Sequence, residues 1–227
     1  MKKVLMVLVF IVLAMMSALG AYVLLNRHPL PEGESGARAE QLSDQMLTAL
    51  GYDAYQKISF IEWSYPRGHS YRWNKAQDSV TVLWDEYEVL FSTRTLEGEA
   101  RYANKELTGS DKVEAIETAW EYFANDSFWL VAPFKIRDPG TVREYVDLIG
   151  AEGLLVTYTS GGVTPGDSYL WIIGEDKRPM AWRMWTQKIP IAGLELSWDG
   201  WKQYNGAWFA PLHDGPVAIN ITELKVK

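Results

Sequence analysis

Three carboxylates crowd one short stretch, Asp85, Glu86 and Glu88, and they are the densest acidic group among the predicted strands. Two carboxyl groups facing each other across a sugar are the equipment of glycoside hydrolysis. The same residues also suit a hairpin, where charge stays solvated. An acid or base role demands a pocket and shifted ionisation, which a linear pattern does not supply. The three histidines, His28, His69 and His213, are scattered and show no helical or hairpin ligand spacing, so no metal site is expected. Gly161 to Ser168 imitates a phosphate-binding loop. Asp167 stands where its lysine belongs and a strand follows where a helix is needed, so a hairpin loop is expected instead. There is no G-x-S-x-G elbow for a serine nucleophile. The chain has no cysteine, which removes thiol nucleophiles, thiolate metal sites and disulfides. The expectation is a protein that is not an enzyme and uses no cofactor.

Aromatic residues are the stronger signal. The chain carries 11 Trp and 12 Tyr in 227 residues. Most of the tryptophans fall in or beside predicted strands, where aromatic side chains are favoured in any case. Met180, Trp182 and Met184 share one face of a strand, and Leu194, Leu196 and Trp198 share a face of the next. Three uses of these rings stand open: plain core, a cavity for a flexible apolar ligand, or a platform for sugar rings. The cavity reading selects Trp73, Trp84, Phe91, Trp120, Phe128, Trp129, Trp171, Trp182, Met184 and Trp198 as lining residues.

The elements that position these side chains follow from periodicity. Ala37 to Leu50 has Leu42, Met46, Leu47 and Leu50 at helical spacing, with Gly51 as its stop. Tyr52 to Lys57 reads as a separate helical turn. Period-two alternation marks strands at Ile58–Tyr65, His69–Asn74, Ser79–Trp84 and Tyr87–Ser92, with a weaker one over Glu99–Ala103. Their short links force an antiparallel meander, because a parallel pair needs a long crossover. A helix follows, with Ser110 as predicted N-cap and Val113, Ile116, Trp120 and Phe123 on one stripe. Asn125-Asp126 is expected to end it. Phe128, Trp129 and Leu130 would then form an aromatic corner that Asp138-Pro139-Gly140 turns into a second meander. Strands are predicted there over Thr141–Leu148, Leu154–Thr159, Ser168–Gly174, Met180–Gln187, Leu194–Tyr204 and Val217–Val226. About eleven short strands with few helices predict an α+β, mainly β fold, a large curved antiparallel sheet with covering helices.

The N-terminus sets the location. Val4 to Leu25 is an unbroken apolar run of the length that spans a bilayer, preceded by Lys2 and Lys3. Ala18-Leu19-Gly20 offers a signal-cleavage site, but the run is longer than an ordinary signal core and continues past that point. The expectation is an uncleaved transmembrane anchor with a cytoplasmic stub over residues 1–25, and a secreted domain if cleavage occurs. The early lysines place the N-terminus in the cytoplasm. Residues 26–36, Pro- and Gly-bearing, read as a linker, and residues 37–227 as the extracytoplasmic domain. The net charge of −7 argues against a nucleic-acid partner, which requires a basic face.

The stretches His69–Asn74 (HSYRWN), Tyr122–Gly140 (YFANDSFWLVAPFKIRDPG), Gly166–Ile172 (GDSYLWI) and Pro179–Trp201 carry a resemblance. They are similar to an uncharacterised bacterial group within the LolA-like superfamily of periplasmic lipoprotein and lipid carriers. The resemblance implies a half-barrel sheet whose apolar concave face, closed by helices, holds acyl chains of lipids or lipoproteins. A soluble shuttle would lose its signal, and a lipoprotein receptor would carry an acylated cysteine. This chain reads as tethered and has no cysteine, so holding or local transfer at the inner membrane is the expected use. The alternatives are a glycan-acting enzyme or carbohydrate-binding module using the strand tryptophans with Asp85, Glu86 or Glu88, and a structural domain that binds an envelope protein partner.

Overall fold

The computed structural model describes Met6, Phe10, Met15, Gly20 and residues 27–161, 164–188 and 191–227. Apart from those first four positions, the expected anchor over residues 4–25 lies outside the described residues.

Helix α1 (Ala37–Leu50) buries Leu42, Met46, Leu47 and Leu50, and Gly51 closes it in the left-handed region at φ 72°. A short α2 (Tyr52–Lys57) follows. The first sheet holds β1 (Phe60–Tyr65), β2 (His69–Asn74), β3 (Ser79–Trp84), β4 (Tyr87–Ser92), β5 (Gly98–Tyr102) and β6 (Lys105–Glu106) as an antiparallel meander. β1 and β3 bury every second residue, as an alternating strand with one covered face must.

Helix α3 runs from Gly109 to Val131, and a short 3-10 turn over Ala132–Phe134 follows. It therefore passes straight through the expected stop at Asn125-Asp126. The apolar stripe explains why: Ala119, Phe123, Asp126 and Leu130 recur at helical spacing and all are buried. Asp126 does not cap the helix, because its carboxylate is engaged by the first sheet. The N-cap position is Thr108 and not Ser110, whose hydroxyl donates to Asp111.

The second sheet holds β7 (Thr141–Leu148), β8 (Ala151–Tyr158), β9 (Ser168–Ile173), β10 (Pro179–Trp185) and β11 (Leu194–Ser197), again antiparallel. Two small ladders follow, β12 (Lys202–Tyr204) with β13 (Ala207–Phe209), and β14 (Leu212–His213) with β15 (Ile219–Asn220). The last strand, β16 (Thr222–Val226), returns to pair with β1.

The fold is thus mainly β with a few helices, as expected. The single curved sheet of about eleven strands is replaced by two sheets of seven and five strands, and the outer strands of neither pair with each other. The physical reason is α3, which separates β6 from β7 in sequence and lies across both sheets. The expected strand Leu194–Tyr204 is also broken, because Gly200 turns the chain at φ 70° between β11 and β12.

Candidate functional site

Helix α3 joins two aromatic halves. Its N-terminal part lies on the seven-stranded sheet, where Phe123 packs edge-on to Trp73 at 5.3 Å and meets Trp63 and Tyr71, each at 6.3 Å. Trp120 meets Phe91, and Tyr122 meets Trp84, both edge-to-face. Its C-terminal part lies on the five-stranded sheet. There Phe128 contacts Tyr158, Tyr169 and Trp182 at 5.5, 5.0 and 5.8 Å, and Trp129 contacts Trp182 at 5.0 Å. Trp171, Trp182 and Trp198 form a triangle with sides of 4.9 to 5.1 Å. Met184 is buried on the same face of β10 as Trp182.

All ten residues singled out from the sequence therefore converge on one continuous apolar interior. Seven are buried, while Trp73, Trp120 and Phe128 are only partly covered. In this structure the rings pack against one another. Two surface hollows lie elsewhere, one along the polar face of α1 near Asp176 and Lys177, the other beside α2 and the C-terminus. None of the ten lines either.

Two groupings of polar atoms lie within this interior. The indole nitrogens of Trp171, Trp182 and Trp198 are buried with no hydrogen-bond partner among protein atoms, and so is Nε2 of His213. His213 packs on Trp198 at 4.5 Å, and burial lowers its pKa to about 4. The ring is thus neutral at pH 7. Its Nδ1 lies 3.0 Å from the Ser197 carbonyl, which can only accept, so Nδ1 carries the proton. Buried polar atoms are normally paired, and Trp63 Nε1 in the first-sheet half and the Tyr158 hydroxyl share this unpaired state.

The second polar group was not visible as one in the sequence. Asp126 on α3, 3 % exposed, accepts from the Tyr71 hydroxyl at 2.5 Å and from His69 Nδ1 at 2.7 Å, both from β2. Asn125 donates to its other oxygen. The His69 ring lies flat on Tyr122 at 4.1 Å. The missed signal was the helical spacing that puts Asp126 on the buried stripe. An aspartate orienting a histidine is one half of a hydrolytic triad. Among the described residues, however, the ring's hydrogen bonds run to Asp126 and Tyr71 alone, with no hydroxyl nucleophile of serine or threonine in the network. The arrangement ties α3 to the first sheet.

The remaining candidates sit at the surface. Asp85 and Glu86 are exposed in the β3–β4 turn, and Glu88 pairs with Arg72 on β2 at 3.1 Å. These are solvated hairpin charges. Asp167 is buried in the β8–β9 loop, accepting from Thr164 and from the Gln187 backbone. It serves as a turn staple, in keeping with the hairpin reading of the Gly161 loop.

Comparison with known proteins gives little beyond this geometry. No protein-family model matches the chain, and no curated protein matches it. Among solved structures it is similar to the crystal structure of a DUF1329 family protein from Desulfovibrio piger, at 12 % identity and a TM-score of 0.39, over 82 % of this chain and 92 % of that one. A likeness of that degree assigns neither ligand nor activity, and the functional reading rests on the aromatic interior itself.

Proposed function

We propose that the chain is a non-catalytic, membrane-anchored extracytoplasmic domain that binds the acyl chain of a lipid or acylated peptide in the aromatic interior beneath α3. The observation that carries this reading is the convergence of ten apolar residues from α3 and both sheets on one interior, with Phe128 left partly exposed above its second-sheet half. Phe128 acts as a plug. It occupies the bowl formed by Tyr158, Tyr169 and Trp182, and an acyl chain takes its place when the plug swings out. Unbranched chains suit such a site, since a flexible apolar ligand adapts to rings at several angles. The LolA-like resemblance and the apolar run at residues 4–25 support the same reading.

Organic extracts of residues 27–227, purified without detergent from the extracytoplasmic side, test the proposal by mass spectrometry. A stoichiometric acyl-bearing lipid is expected.

The packed state of the interior favours one second reading, a structural domain that binds an envelope protein. Under that reading the extracts hold no lipid, and the chain migrates as a defined heteromeric complex after gentle solubilisation.

A further inference from the structure

The segment before α1 is attached to the second sheet at two points. At one end, the His28 N–H donates to the Ala192 carbonyl at 2.9 Å, and the Trp185 indole donates to the His28 carbonyl at 2.9 Å. Gly193 is pressed so close that a Cβ there would lie 2.6 Å from the His28 Cβ. At the other end, Glu34 and Tyr145 exchange both backbone hydrogen bonds at 2.8 Å, adding a one-residue edge to β7. Gly33 is equally tight, since a Cβ would lie 2.4 Å from that of Glu144.

These attachment points stand at opposite sides of the five-stranded sheet, on β10–β11 and on β7. Three strand spacings separate β10 from β7, about 14 Å. Six residues of chain reach about 20 Å, so the segment is long enough to pass between them. Pro29 and Pro31 stiffen it. The outer face of β8 and β9 lies between the two points, and its Leu155 and Leu170 are buried in a second apolar cluster with Val146 and Trp185.

The register then fixes an orientation. Trp185 pairs with Ser168, and Tyr158 pairs with Thr141, so the strap leaves the domain at the end of the sheet where β8 finishes and β9 begins. Tyr158 and Tyr169, which hold Phe128, are at that same end. Leu25 closes the apolar run and is only three residues before His28, a reach of no more than about 11 Å.

We propose that this strap clamps the domain to the bilayer with the Phe128–Tyr158–Tyr169 rim facing the lipid headgroups, so that the acyl ligand passes directly between membrane and interior. This rests on the anchor and acyl-binding readings above. The opposite end of the sheet, with Ile149 and Glu175, points away from the membrane.

The absence of native cysteine makes the test direct. Lys188→Cys and Glu175→Cys are made singly in the full chain. Both positions are exposed and lie at opposite ends of β10, a strand of seven residues or about 23 Å. Each carries an environment-sensitive fluorophore, and the chain is reconstituted in vesicles containing phospholipid with a quencher near the headgroup. The expected result is loss of most of the fluorescence at 188 and little loss at 175. Trp185→Ala, which removes the indole that holds His28, should bring the two labels close to equal. Equal quenching in the unsubstituted strap, or stronger quenching at 175, overturns the orientation. Two controls separate the underlying readings. A mature mass lacking residues 1–20, with the chain free of the membrane fraction, refutes the anchor. Absence of acyl ligand with the quenching asymmetry intact refutes the ligand alone.

Discussion

Replacing Phe128 with alanine separates a plug from an ordinary core residue, because the two roles predict opposite signs for binding. The ring contacts Tyr158, Tyr169 and Trp182 at centroid distances of 5.0 to 5.8 Å and is partly exposed. A fully buried phenylalanine costs about 3–5 kcal/mol when truncated, and a half-buried one about 2 kcal/mol. At roughly 2–4 °C per kcal/mol for a domain of this size, the melting temperature should fall by about 4–8 °C. Binding should move the other way. Each aromatic pair is worth about 0.5–1.5 kcal/mol beyond its buried area, so freeing the bowl of Phe128 costs a ligand roughly 1.5–4.5 kcal/mol. The apparent affinity is reduced by that opening cost. Phe128→Ala removes it, and at 1.4 kcal/mol per factor of ten the affinity should rise at least about tenfold. Energy transfer from the tryptophans to a fluorescent fatty acid, titrated into residues 27–227, reads the change. An affinity that falls with stability, or does not move, refutes the plug.

Two further substitutions probe the polar groups. Asp126→Ala leaves the Tyr71 hydroxyl and His69 without their shared acceptor and frees α3 from β2. Stability should drop by about 2–4 kcal/mol, the cost of leaving two buried donors without their acceptor, seen as a lower urea midpoint. Tyr71→Phe, which removes only one donor, should cost about 1–2 kcal/mol. His213 supplies a pH dependence with a defined sign. Its folded pKa of about 4 lies below the unfolded value near 6.5, so the folded state binds fewer protons in that window. Unfolding free energy should be flat above pH 6.5 and decline by about 3 kcal/mol on acidification towards pH 4. His213→Asn should remove most of that slope in chemical denaturation at pH 7, 5.5 and 4.5. A slope unchanged by the substitution refutes burial of a neutral ring.

The legible part of the fold was local. β2, β3 and β4 fall on the bounds that alternation predicts, because each has one face against the interior and one towards water. The β16–β1 pairing joins strands that stand far apart in the sequence, and no periodicity reports such a contact. Asn125-Asp126 read as a stop because both residues favour caps. In the folded chain Asp126 is instead satisfied by Tyr71 and His69, two side chains that only tertiary packing brings to it. The segment 26–36 read as a loose tether for a similar reason. Its prolines and glycines are the composition of a linker, yet Gly33 and Gly193 are small to let backbone lie close against backbone. The ten candidate residues come from strand faces, the helix stripe and the aromatic corner, and they share an interior. Whether such an interior is occupied by its own rings or by a guest depends on the position of α3, which sequence patterning does not encode.

Native mass spectrometry of residues 27–227 with a saturated long-chain fatty acid tests the acyl-binding claim most directly. A one-to-one complex is expected, about one acyl chain per domain, with a concurrent shift in tryptophan emission as Trp171, Trp182 and Trp198 change surroundings. Only the mass of the bare chain, with emission unchanged through saturation, would contradict it.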